Sequence, residues 1–184
     1  MKKNLLILPI LLLTITISKA NAFYSEQETI TRQVNDFNSI LSKCSADIIF
    51  IQSNETKIEI VTNNFDPEKV ITKVRDRLLT IDIKSNSNFN FMHNYSIKIY
   101  VYSPTIESVQ LSGSGDFEAK NRISGENFEL SIRGSGDFDA NMDMQNITIN
   151  VNGSGDVNLS GVKNNLAIKI NGSGDAKIKN VNII

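Results

Sequence analysis

From Val109 onward the apolar residues fall on every second position. Val109 and Leu111, then Phe128, Leu130 and Ile132, then Ile147, Ile149 and Val151, then Leu166, Ile168 and Ile170 share one parity. That parity continues through Phe117 and Ala119, Phe138 and Ala140, Val157 and Leu159, and Ala176 and Ile178. Such alternation marks strands with one buried face. Between the two halves of each set stands the same tetrapeptide, Gly-Ser-Gly-Asp, beginning at Gly113, Gly134, Gly153 and Gly172. The glycine pairs Gly113 and Gly115, Gly134 and Gly136, Gly153 and Gly155, and Gly172 and Gly174 carry the apolar parity, so the alternation is expected to run unbroken through the motif. An inward Gly pair lets the backbone bend or the facing wall approach, and predicts a pinched structural corner. Ser112, Ser114 and Asp116 begin the opposite, wet parity, which continues through Asp137, Asp156 and Asp175.

The copies are offset by 21, 19 and 19 residues. A period of about 20 residues gives room for two strands of roughly seven or eight residues and two turns, with rungs stacked about 4.8 Å apart. The turns are expected where Asn, Gly and Asp gather, at 120–125, 141–145 and 161–165. The fold expected is all-β: a single domain over 37–184, a β-solenoid or closely related stacked-hairpin sandwich with coils of about 20 residues over 109–184.

Upstream, "ADIIFIQ" from Ala46, "KIEIVT" from Lys57, "LTIDIK" from Leu79 and "YSIKIYV" from Tyr95 read as further strands of the same domain. Asp66-Pro67-Glu68 carries a helix-start signal, with Val70, Ile71, Val74 and Leu78 behind it at helical spacing; Val70, Thr72 and Val74 equally suit a strand. Residues 85–94 read as a polar loop and 23–36 as a flexible arm. Lys2 and Lys3, the apolar run Leu5 to Ile17 and Ala20-Asn21-Ala22 have the form of a signal peptide over 1–22, cleaved after Ala22. The run is short for a membrane span, and no integral membrane segment is expected after cleavage. The chain is therefore expected to be exported to the periplasm, the cell surface or the medium.

Composition narrows the chemistry. A net charge of −1 without a basic run argues against nucleic acid as a partner. The single Cys, Cys44, excludes an internal disulfide and reads as a buried small hydrophobe. One His, His93, leaves little room for Ser-His-Asp chemistry or a His metal cluster. No catalytic residue and no cofactor is expected. The row Asp116, Asp137, Asp156 and Asp175 stands apart: stacked in register, its carboxylates would lie about 5 Å apart. Water, the neighbouring Ser114, Ser135, Ser154 and Ser173, or calcium would have to satisfy them, which makes the four Asp residues candidate metal ligands.

The passage "IKIYVYSPTIESVQLSGSGD" from Ile97 to Asp116, the "FNSI" segment at Phe37, the "VRDRLLTI" segment at Val74 and the recurring GSGD resemble a bacterial family, the putative auto-transporter adhesin head GIN domain. The resemblance spans about Val34 to Ile184. It implies an exported all-β protein with an adhesin-like role, and it carries no catalytic or ligand residues to these positions.

The function expected is a non-enzymatic interaction module that presents ladders of Ser, Asn and Asp to a surface glycan or a protein. A calcium-binding structural β-roll is the alternative, with a two-carboxylate glycoside hydrolase behind it. The "NVNII" ending has no polar cap, so a homo-oligomer through the C-terminal coil is also an expectation.

Overall fold

The computed structural model describes residues 27–84 and 95–181; the signal peptide expected over 1–22, the polar loop expected over 85–94 and His93 lie outside the described residues. Among the described residues no helix is long and apolar enough to cross a membrane. Thirteen strands among the described residues form one curled, open sheet. They are β1 (Gln27–Gln33), β2 (Ser39–Ser42), β3 (Asp47–Gln52), β4 (Lys57–Asn63), β5 (Val70–Arg75), β6 (Leu78–Ile83), β7 (Ser96–Ser103), β8 (Ser108–Leu111), β9 (Phe117–Ala119), β10 (Ile123–Gly134), β11 (Phe138–Gly153), β12 (Val157–Gly172) and β13 (Ala176–Val181).

The sheet has two arms that meet in β11 and β12. One arm runs β1-β4-β7-β3-β9 into the first part of β11, and the other runs β5-β6-β2-β8-β10 into its last part. β12 lies parallel along both parts of β11, pairing Phe138 with Val157 at one end and Gly153 with Gly172 at the other. Each GSGD carries the chain from the second arm to the first, linking β8 to β9, β10 to β11, β11 to β12 and β12 to β13.

In-register parallel pairing stacks like on like. On the second arm Leu79, Ile40, Val109, Leu130 and Ile149 form one column across the strands, each 0% exposed. On the first arm Ile48, Phe117, Phe138, Val157 and Ala176 form another. Within it the Phe117 and Phe138 rings stack at 4.8 Å and 10°, with Phe128 of the other arm 5.7 Å from Phe138. These columns are the core, and the alternation in the sequence locates them correctly.

Four local expectations change. The alternation does not pass through GSGD as a strand: β10, β11 and β12 stop at the first Gly of the motif, and the next strand starts just after the Asp. The turns expected at 141–145 and 161–165 are bends inside the continuous strands β11 and β12, where the register shifts around Met144. Gly161 serves the bend in β12, with φ +87. The helix signal at Asp66 is genuine but spends itself on one 3-10 turn, Pro67–Lys69, with the Asp66 carboxylate accepting the Glu68 N–H at 2.9 Å. Beyond it Val70 enters β5, and Asp76 and Arg77, both at positive φ, turn the chain into β6. The arm expected over 23–36 contains β1, paired antiparallel with β4 along seven residues. Ile30 packs on the core and the Arg32 guanidinium donates to the Val70 carbonyl at 2.6 Å, so this segment has both an apolar and a polar anchor.

Cys44 is 9% exposed, with Sγ 3.7 Å from the Ser42 hydroxyl. Burial pushes its thiol above the ordinary value of 9.0, against smaller pulls downward from the Ala46 main chain and Ser42. The fold thus favours the neutral thiol. Its contribution to stability is complete below about pH 9 and declines as the pH rises further, because unfolding then releases a thiol that ionises. A disulfide-exchange reagent at pH 8 is expected to label the native protein at least ~100-fold more slowly than the urea-unfolded chain; equal rates would place Cys44 at an accessible surface.

Candidate functional site

At each corner the strand ladder lapses, and a side chain takes over from the main chain. The Asp137 N–H donates to Asp116 Oδ1 at 2.9 Å, Asp156 N–H to Asp137 Oδ1 at 2.8 Å, and Asp175 N–H to Asp156 Oδ1 at 2.8 Å. Meanwhile the main-chain carbonyls of Asp137, Asp156 and Asp175 accept from Phe117, Phe138 and Val157 of the rung before. The carboxylate therefore fills the acceptor position that a turning backbone leaves empty, as an Asp cap does at a helix start. The sequence left water, the neighbouring Ser residues or calcium open as partners of these carboxylates and did not point to the main chain. Ser135, Ser154 and Ser173 offer their main-chain N–H groups to the first-Gly carbonyls of the rung before, at 3.2, 3.0 and 3.0 Å.

The glycines have their reason along the stack rather than across the core. A Cβ on Gly134, Gly153 or Gly172 would lie 2.1, 2.0 or 1.9 Å from the carbonyl oxygen of the first Gly one rung earlier. One on Gly136, Gly155 or Gly174 would lie 2.2 Å from the second-Gly oxygen. Gly134, Gly153 and Gly172 also sit at φ between +148 and +155, where side chains are disfavoured. The pinch therefore acts between rungs, because the corners nest backbone on backbone.

The column has a fifth member, which the tetrapeptide search misses. Asp116 N–H donates to Asp47 Oδ1 at 3.3 Å, and Cβ atoms on Gly113 and Gly115 would strike the Cys44 and Ala46 carbonyl oxygens at 2.4 and 2.1 Å. Cys44-Ser45-Ala46-Asp47 is thus a corner of the same kind, linking β2 to β3. Beneath it β2 pairs with β6 and β3 with β7, and the residues joining those two strands contain no GSGD. The readable signal was Ser-small-Asp directly before a strand of the right parity.

The outward columns beside the Asp row form an open groove of about 480 Å³. Asp116, Asp137, Asp156 and Asp175 line one side, Glu118, Asp139, Asn158 and Lys177 follow in register, and Lys179 closes the last rung. Asn158 donates to Asp139 at 2.9 Å. On the other arm the amide ladder Asn127, Asn146, Asn165 is joined by bonds of 2.8 and 2.7 Å, and Asn171 donates to Asn152 at 3.0 Å. Both ladders repeat at the 19-residue offset of the later motifs, so both are legible from the alignment of the repeats.

Among the described residues, no group of three or more His, Cys, Asp or Glu side chains gathers closely enough to hold a metal. The four candidate ligands follow one another up a single column, and Asp116, Asp137 and Asp156 each have one oxygen occupied by a main-chain N–H of the next rung. Replacing Asp137 by Ala is expected to cost about 1 kcal/mol through the lost acceptor. Asp137→Asn, which keeps an acceptor oxygen, should cost less than half of that; urea midpoints decide, and equal losses would assign the effect to charge.

The sequence profile described as "Putative auto-transporter adhesin, head GIN domain" matches residues 36–183. No curated protein matches the sequence. Solved structures share the fold. A crystal structure of a putative lipid binding protein from Parabacteroides distasonis ATCC 8503 has a TM-score of 0.61 and 21% identity, covering 84% of this chain and 74% of that one. A putative adhesin from the same organism gives 0.58 and 20%, covering 84% and 82%. A putative cell adhesion protein from Clostridium sporogenes ATCC 15579 gives 0.56 and 14%, covering 84% and 100%.

Proposed function

Because the chain belongs to the putative auto-transporter adhesin head GIN domain family, we propose that it is an exported, non-enzymatic interaction module. It holds a surface glycan through the groove beside the Asp column, with a protein surface as the alternative occupant. The observation that carries this reading is the groove itself: carboxylates, an amide and two ammonium groups at fixed rung spacing on a stiff sheet. Hydroxyl-rich ligands are bound by such arrays of acceptors and donors, and a sheet that need not reorganise keeps the entropic cost of binding low. The positively charged and apolar residues Lys2 to Ala22 support export, to the periplasm, the cell surface or the medium.

In the same reading the rungs from β8 to β13 are the coils of a short β-solenoid, supported by in-register parallel pairing at a spacing of one GSGD per rung. A non-enzymatic role is supported by the carboxylates' placement along one face, whereas glycoside hydrolysis needs two of them across the scissile bond.

A glycan and host-surface binding screen, run with the purified protein in millimolar calcium and in chelator, tests the proposal. Binding that survives chelation and is lost in a Glu118→Lys, Asp139→Lys double variant is the expected result. Undiminished binding by that variant would move the site elsewhere. The melting temperature is expected to be the same in calcium and in chelator; a rise with calcium would restore the Asp column as a cation site.

A further inference from the structure

The last GSGD rung breaks the pattern of burial that the GSGD rungs before it keep. Ile168 continues the column of Leu79, Ile40, Val109, Leu130 and Ile149, yet it is 41% exposed where they are 0%. Leu166, Ile170, Ala176 and Ile178 are only partly buried, and Val181 is 36% exposed. Among the described residues, Asn165–Gly172 of β12 pairs with β11 alone, and β13 pairs with β12 alone. The outer edges of both segments therefore carry ladder groups with no strand beside them, over an apolar stripe that another strand would cover.

The outward residues of this rung point to what covers it. The column Glu118, Asp139, Asn158 ends in Lys177, the column Asn141, Ser160 ends in Lys179, and the column Gln110, Ser131, Asn150 ends in Lys169. None of these three lysines has an ion-pair partner among the described residues, whereas Lys163 pairs with Asp143. From Lys163 to Val181 the only carboxylate is Asp175. A cross-strand neighbour of opposite charge stabilises such positions, and one of like charge destabilises them.

We propose that this edge receives an extended segment of another protein in which aliphatic and acidic residues alternate, adding one strand to the sheet. The aliphatic residues would cover Leu166, Ile168 and Ile170 as β12 covers Ile147, Ile149 and Val151 of β11. An acidic residue would face Lys169, and a segment long enough to follow the rung round its corner would bring further ones to Lys177 and Lys179 on β13. Main-chain bonds supply affinity in this mode and the alternating side chains supply selectivity. A second copy of this chain fits less well, since it brings the same three lysines and one Asp175 to the seam.

The test uses the purified protein and two labelled synthetic peptides, Glu-Ile-Glu-Ile-Glu-Val-Glu and its counterpart with Lys for every Glu. The acidic peptide is expected to bind at least ~10-fold tighter, to weaken as salt rises from about 0.05 to about 0.5 M, and to slow amide exchange in β12 and β13. Lys169→Glu, on the arm away from the groove, is expected to reduce the preference for the acidic peptide without altering glycan binding, which separates this inference from the proposed function. Equal or absent binding of the two peptides overturns it. So does sedimentation as a dimer with this edge protected, which would give the edge to a second copy.

Discussion

Gly153→Ala is expected to be the most damaging single methyl addition in this protein. Its Cβ would lie 2.0 Å from the Gly134 carbonyl oxygen, and φ is +155, so neither a rotamer change nor a side-chain shift relieves the clash. The rungs must part at the corner, where the Ser154 N–H to Gly134 carbonyl bond and the Asp156 N–H to Asp137 bond lie. The expected loss is about 4 kcal/mol or more, in the range reserved for strain at a special backbone position. Two controls sharpen the result. Gly172→Ala meets an equally close oxygen at 1.9 Å but belongs to the last rung, which can lift away, so about half the loss is expected. Gly125→Ala meets only the Met144 side chain, nearest at 3.0 Å, and should change little. Urea midpoints of the three variants give the order, and a Gly125 effect equal to that of Gly153 would refute the nesting account.

Phe138→Ala is the second large effect. The ring is 1% exposed, stacked on Phe117, in contact with Phe128 of the opposite arm, and continued upward by Val157. Removing it leaves a cavity where the two arms face each other, with rungs fixed above and below by main-chain bonds that resist collapse. A loss of about 3–5 kcal/mol is expected. Phe138→Leu, which keeps most of the apolar volume, should recover more than half of it. A truncation on the last rung, Ile178→Ala in the neighbouring column of Ala140 and Leu159, should cost far less because that side chain is only partly buried. Equal losses at the two positions would show that burial does not decline toward the last rung.

The local pattern identified much of this fold because its contacts are repeats of one contact. Val109, Leu130 and Ile149 announce the same inward position at a fixed offset, and a parallel in-register sheet stacks them without further information. Family membership was legible for the same reason, since Pro104 to Asp116 and the recurring corners are local strings. The β1 strand was not legible: Gln27–Gln33 is mostly polar and gains its place from pairing with β4 and from the Arg32 contacts to β5 and the 3-10 turn. The bend in β11 was hidden too, because Asn and Gln suit a turn and a bulged strand alike.

For the candidate site, the sequence by itself determined the parity of the motif, with glycines on one side and Ser and Asp on the other, because alternation in a strand depends only on the backbone. It also determined the rung period, and hence that Asp116, Asp137, Asp156 and Asp175 form a row. What each residue of that row touches was decided only by the tertiary structure. The register of one rung on the next aims the carboxylates of Asp116, Asp137 and Asp156 at main-chain N–H groups, places a Gly carbonyl where the next Gly would carry its Cβ, and recruits Asp47 from a corner that shares only Ser and Asp with the others. Those are distances between segments some 19 to 69 residues apart, and no local preference of the chain fixes them.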